Sequence, residues 1–300
     1  MRLTLHPARE WPKRVPLRDV SLYVDVVGHG DPLVLMHGGP SADLWTMGAF
    51  RRLADQFTLV LYDHRCNGRS TGPAASSMTW ANLTADADAL RAYLGFDRWA
   101  VLGHSFGGHV ALEYTLRYPQ RVSRLVLVDT GADARWAREN APKVLARRGY
   151  SAAKVQLVRR WFTGEFESRE YLPIFWRISG AYMPKHGFRG MVHELAEGGW
   201  RSRIRREPFQ FAGQSLLPGW SITHRLGEIT APTLVIAGRE DFVFPPDCQR
   251  ELLAGIPNAE MFLIDEAGHN PQDEKPTDVM AILRPFLAGA QVLTPDKGKR

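Results

Sequence analysis

Short apolar runs recur along the chain and alternate with stretches of helical spacing. Residues 21–27 alternate as a strand does and end in the turn cluster Gly28-His29-Gly30-Asp31-Pro32. Residues 32–36, 57–62, 99–102 and 124–129 are nearly continuous apolar runs, the pattern of strands buried on both faces of a parallel sheet. Residues 230–238 and 260–264 resume the series. Helices are predicted over about 41–54, over 79–94 with Thr79 as cap and Gly95 as stop, after Ser105, and over about 276–287. Strand and helix in alternation predict an α/β fold, a parallel sheet with right-handed crossovers and helices on both faces. Residues 1 to about 19, polar and rich in Pro and Arg, read as a lead-in, and a polar tail closes the chain.

The strand rhythm stops between 131 and about 226. Residues 151–162, opened by Ser151 and closed by Gly164, have helical spacing. Tryptophans are dense here, at Trp136, Trp161, Trp176, Trp200 and Trp220. The chain therefore divides into a core of residues 1–130 and 227–300 and a helical lid of residues 131–226. A lid over the sheet edge excludes water and shapes an aromatic-lined pocket. Most of its aromatic residues are expected to pack it against the core.

Three hundred residues, 44% of them apolar, suit one α/β unit with an insertion and an ample core. The net charge of +6 comes mainly from arginines in ones and twos, with no basic block and no nucleic-acid module. A solvated basic surface follows, with steering of an anionic substrate as the second reading, and no nucleic-acid partner. No run of 18 apolar residues spans a membrane, and the start lacks the apolar core of a signal peptide. Cys66 and Cys248 match no metal or redox spacing and predict no disulfide, which suits the cytoplasm. No metal-binding spacing appears, and neither metal nor cofactor is expected. Oligomeric state is not legible in the sequence.

Chemistry concentrates where strands end. Gly103-His104-Ser105-Phe106-Gly107 joins a strand to a helix, and a serine on so sharp a turn needs small neighbours. Its hydroxyl would stand at the positive end of the helix. His37-Gly38-Gly39-Pro40 follows another strand and offers backbone donors to an oxyanion, the Gly39 and Phe106 N–H groups being the candidates. A serine nucleophile needs a base, and the base an orienting carboxylate. Asp241 and His269 follow successive strands at the same sheet edge, in the order Ser, Asp, His. Asp129 also ends a strand and is the rival acid, and Glu240 would face away from Asp241. His37 and His104 are expected to brace their loops, as are Asp63 and Arg65, and Cys66 to be a small buried residue.

Together these motifs resemble the α/β-hydrolase superfamily across nearly the whole chain. His37-Gly38-Gly39-Pro40 followed by Asp63-His64-Arg65-Cys66-Asn67-Gly68-Arg69-Ser70 resembles the proline iminopeptidase family, serine aminopeptidases that release N-terminal proline. The resemblance implies nucleophile Ser105, acid Asp241, base His269 and an oxyanion hole at Gly39. Three features differ from that family. Ser41-Ala42 stands where it has a glycine run, Cys66 replaces a glycine, and the lid lacks its glutamate-bearing amine-binding segments. Glu165, Glu170, Glu194, Glu197 and Glu207 remain available. The expected activity is cleavage of a small amide or ester through an acyl-enzyme, proline-iminopeptidase-like. The alternatives are a carboxylesterase or lactonase with no free-amine requirement, a carbon–carbon bond hydrolase, and a non-catalytic ligand receptor. The expected partner is a small molecule: short peptide, amide, ester or lactone.

Overall fold

The computed structural model describes residues 13–197 and 199–290, so the first twelve residues of the lead-in and residues 291–300 of the tail lie outside it. Among the described residues eight strands form one sheet: β1 (Arg14–Leu17), β2 (Val20–Gly28), β3 (Asp31–Met36), β4 (Phe57–Tyr62), β5 (Trp99–His104), β6 (Val122–Val128), β7 (Thr233–Gly238) and β8 (Ala259–Ile264). Their spatial order is β1-β2-β4-β3-β5-β6-β7-β8. β3 to β8 are parallel, and β1 and β2 complete one edge antiparallel. β1 corrects the lead-in reading, since Val15 is buried and pairs with Leu22. Four residues containing Pro16 carry too little alternation to read as a strand, and a sheet edge tolerates the missing N–H.

Among the described residues ten α-helices accompany the sheet: α1 (Trp80–Leu94), α2 (Phe106–Arg117), α3 (Ala141–Arg147), α4 (Ala152–Thr163), α5 (Tyr171–Ile178), α6 (Gly187–Ala196), α7 (Arg206–Phe211), α8 (Pro246–Gly255), α9 (Pro271–Glu274) and α10 (Pro276–Leu287). The stretch expected as a helix over 41–54 is a 3-10 segment, Leu44–Asp55, capped by the Asp43 side chain and kinked at Met47. Side chains alternate across the sheet, so β3 sends Val34 and Met36 into one core and Leu33 and Leu35 into the other. Burial on both faces is why these strands are apolar throughout.

Helices α3 to α7 lie between β6 and β7. Trp161, Phe166, Tyr171, Ile174 and Phe209 form a third core there, continuous with Phe242 and Phe244 in the loop after β7. Most aromatics of this region pack inward as expected, Trp161, Phe166, Tyr171, Phe209 and Trp220 among them, while Trp176 and Trp200 are exposed. The chain runs from β3 outward to β4 and returns to β5 on the other side of β3. Adjacent strands whose connections diverge leave a crevice at their carboxyl ends. Here the loops leaving β3 and β5 flank it, and they carry Gly38-Gly39 and Ser105.

Candidate active site

Ser105 sits between β5 and α2 with φ at +53°, a left-handed conformation unusual for a side-chain-bearing residue. Three hydrogen bonds hold it there. Its N–H donates to the Val128 carbonyl (3.0 Å), and its own carbonyl accepts from Gly108 N–H (2.9 Å) and Thr130 Oγ1 (2.7 Å). The turn is tight because α2 crosses the end of β3: a Cβ on Gly107 would stand 2.0 Å from the Met36 carbonyl oxygen.

The structure brings Asp241 and His269 to this serine. His269 Nε2 lies 3.0 Å from Ser105 Oγ, and Nδ1 lies 2.9 Å from Asp241 Oδ2. Asp241 is fully buried and accepts the Val243 N–H at its other oxygen (2.7 Å). With Nδ1–H donated to the carboxylate, the Nε2 lone pair faces the hydroxyl, the arrangement that proton abstraction requires. The rival acid, Asp129, lies beside Asp241 rather than on His269. Burial and the Asp241 charge push its carboxyl well above the usual range, and it accepts the Gly238 N–H (2.9 Å).

The His269 loop is held at three points. Its N–H donates to the Tyr182 carbonyl (2.7 Å), and its carbonyl accepts from His104 Nε2–H (2.9 Å). Gly268 N–H donates to Glu274 (2.7 Å), whose carboxyl burial raises to about 8. Burial lowers His104 to about 3, which keeps it a neutral donor to that carbonyl. His37 likewise braces its loop: Nδ1–H donates to the Gly38 carbonyl (2.9 Å) and Nε2 accepts from His64 N–H (3.0 Å).

Gly38 lies against Ser105, since a Cβ there would come 3.1 Å from Ser105 Cβ. Gly39 has φ at +49°, and its carbonyl accepts from Ser41 N–H (2.6 Å) and Ala42 N–H (2.8 Å). Neither the Gly39 nor the Phe106 N–H donates to an acceptor among the described residues. Two donors without acceptors beside a strained serine can stabilise an oxyanion. Ser41, where the resembling family has glycine, shares a 2.7 Å hydrogen bond with the Tyr171 hydroxyl of α5.

The remaining candidates are structural. Asp63 accepts the Leu44 (2.9 Å) and Arg69 (2.7 Å) N–H groups. Arg65 is buried on Asp86, with hydrogen bonds of 2.6 and 2.8 Å. Cys66 is buried with φ at +64°, a physical reason for glycine in the resembling family. Glu240 turns to Arg148. Glu170 pairs with Arg160 and Glu197 with Arg52, Glu165 and Glu207 are exposed, and burial beside Asp273 raises Glu194 to about 7. The sequence reading missed Tyr182 and Phe244. The Tyr182 ring meets His269 edge-on at 5.4 Å, and Phe244 stacks on it at 6.0 Å. Trp80, Phe106, His109 and Trp220 continue this aromatic wall. Phe244 stands three positions after Asp241, a spacing that could have marked it; no local pattern marked Tyr182.

A mostly parallel sheet with a strained serine at its switch point defines an α/β hydrolase. A family model for the alpha/beta hydrolase fold matches residues 31–276, and the chain belongs to that family. It is a hydrolase, as its relatives are. It is similar to a 2-hydroxy-6-oxononadienedioate/2-hydroxy-6-oxononatrienedioate hydrolase of Cupriavidus pinatubonensis, 30% identical over 83% of this chain and 84% of the relative. It is also similar to a proline iminopeptidase of Levilactobacillus brevis, 28% identical over 94% of this chain and 98% of the relative. The crystal structure of a Mycobacterium smegmatis proline iminopeptidase superimposes with a TM-score of 0.72 at 24% identity, covering 92% of this chain and 97% of that one. No group of three metal-ligating side chains is arranged for an ion among the described residues, and no helix there is long and apolar enough to cross a membrane.

Proposed function

We propose that the protein is a serine hydrolase that cleaves a small ester or amide through an acyl-enzyme. The single observation that carries this reading is the chain of contacts Asp241–His269–Ser105, at 2.9 and 3.0 Å. As Ser105 Oγ bonds to the substrate carbonyl carbon, its proton passes to His269 Nε2, and Asp241 stabilises the imidazolium. The Gly39 and Phe106 N–H groups receive the oxyanion. Collapse breaks the bond to the leaving group, which takes the proton from His269, and water then reverses the sequence to free the acid and Ser105. Residues 131–226 act as a lid on a core of residues 1–130 and 227–300.

Within this class we favour an ester or lactone over a peptide with a free N-terminus. The lid glutamates that could hold an amine cation are paired with arginine, exposed, or buried beside another acid. Proline-iminopeptidase-like cleavage is the second reading, supported by the likeness to such enzymes over nearly the whole chain. Buried free cysteines suit a cytoplasmic protein.

Burst release from a p-nitrophenyl ester, compared with Ser105→Ala, tests the mechanism. The variant is expected to lose the burst and about 10⁵-fold or more of the turnover rate; equal rates would overturn the reading. Turnover of a proline arylamide against its N-acetylated form separates the two substrate classes. Loss on acetylation marks an aminopeptidase, and indifference marks the ester reading.

A further inference from the structure

Helix α6 turns its apolar stripe outward. Phe188, Met191, Val192 and Leu195 recur at i, i+3, i+4 and i+7, the spacing that buries one helix face in a core. Here they are 77%, 39%, 47% and 46% exposed. The polar side packs inward instead. His193 Nδ1–H donates to Asp273 (3.1 Å), its Nε2 accepts from Arg52 (3.0 Å), and Glu197 pairs with Arg52 (2.9 Å). Gly190 fixes the same orientation, since a Cβ there would stand 2.4 Å from Met183 Sδ. Contiguous exposed apolar surface of this kind marks an interaction site.

The charge of the chain segment that carries the stripe identifies the partner. Residues 171–206 hold seven basic residues and two acids, a surplus of five in a chain whose net charge is +6. Both acids, Glu194 and Glu197, are half-buried, so the exposed charges of this stretch are all basic: Arg177, Lys185, Arg189, Arg201, Arg203 and Arg205. Trp200, 68% exposed, adjoins α6 with the Arg201 guanidinium over its ring at 4.8 Å. A second copy would have to bring this basic face against itself across a two-fold axis, at an electrostatic cost. A bilayer with anionic headgroups over an apolar interior complements both features at once.

We infer that α6 and the Trp200 turn dock on an anionic phospholipid surface, with the Phe188–Leu195 stripe in the acyl boundary and the flanking Arg and Lys side chains on the phosphates. The helix lies on the bilayer rather than spanning it, so the lack of a spanning helix has no bearing. Docking requires no turnover.

The test is co-sedimentation of the full chain with phosphatidylcholine vesicles, with and without phosphatidylglycerol. Binding is expected to the anionic vesicles, to weaken with added salt, and to shift tryptophan emission to the blue. Phe188→Asp/Val192→Asp and Lys185→Glu/Arg189→Glu should each weaken it at least about tenfold, while Leu253→Asp on α8 leaves it unchanged. Circular dichroism checks the fold, and if the first double variant unfolds, the charge-reversal pair decides. No binding to anionic vesicles, or binding indifferent to the charge reversals, overturns the inference. Lipid-independent dimers in sedimentation velocity that Phe188→Asp/Val192→Asp dissolves would assign the face to a second copy and overturn it equally.

Discussion

At the residue level, two neighbouring carboxyls have opposite tasks. In the proposed mechanism the carboxylate of Asp241 orients His269, and two buried carboxyls this close do not both ionise. Asp129 bears the proton, by its burial and the Asp241 charge. Asp241→Asn is therefore expected to cost roughly 10⁴-fold in kcat, by inverting the tautomer that His269 needs. Asp129→Asn, which keeps a neutral acceptor for the Gly238 N–H, should stay within a few-fold of the wild type. Steady-state kinetics on an activated ester checks both, and an equal loss in the two variants would contradict this division of charge. The meeting of Ser105, Asp241 and His269 was legible because each follows a strand within a short motif. The contact of Tyr182 with His269 was not, because it joins the segment between β6 and β7 to the loop after β8 through a backbone carbonyl, which no side-chain pattern announces.

Among elements, those with local signals were read almost to the residue. Thr79 and Gly95 bracket α1, and Ser151 and Gly164 bracket α4, each with the cap bond and left-handed stop that their types suggest. The helix expected over about 41–54 is present as the 3-10 segment Leu44–Asp55, whose kink at Met47 was not legible, and β1 was misread because edge pairing through Pro16 depends on tertiary neighbours. The turn from β5 into α2 depends on both. Its glycines were legible as small residues, but the obstacle that demands Gly107 is the Met36 carbonyl of β3. Backbone cannot swing aside as a side chain can, so Gly107→Ala is expected to destabilise by about 1–3 kcal/mol. Urea denaturation at neutral pH measures it, and an unchanged midpoint would show that β3 yields.

For the whole molecule, layers and sheet were legible from periodicity, while the way α6 faces was not: a stripe at helical spacing says which residues share a face, never which side meets solvent. Burial of titratable groups was equally invisible, and it gives the molecule its acid response. His109 lies between Trp80, Trp220, Phe106 and Phe244, and neither ring nitrogen has a partner among the described residues. Burial lowers it from 6.5 to about 3. Between those values the unfolded chain binds a proton that the folded chain refuses, so stability falls as pH drops below about 6.5. His104, at about 3, and His37, at about 4, act with the same sign. Asp63 and Glu274, raised to about 7 and about 8, oppose them, since a raised carboxyl favours the folded state in acid and loses that contribution as pH rises through its folded value. A difference measurement removes the opposing carboxyls, because both proteins carry them. His109→Phe fills the same aromatic site without a proton to refuse. Its melting temperature should match or exceed the wild type's near pH 8, and the gain should widen as pH falls from about 6.5 toward 4. Melting curves that stay parallel across that range would mean His109 finds a proton acceptor when charged.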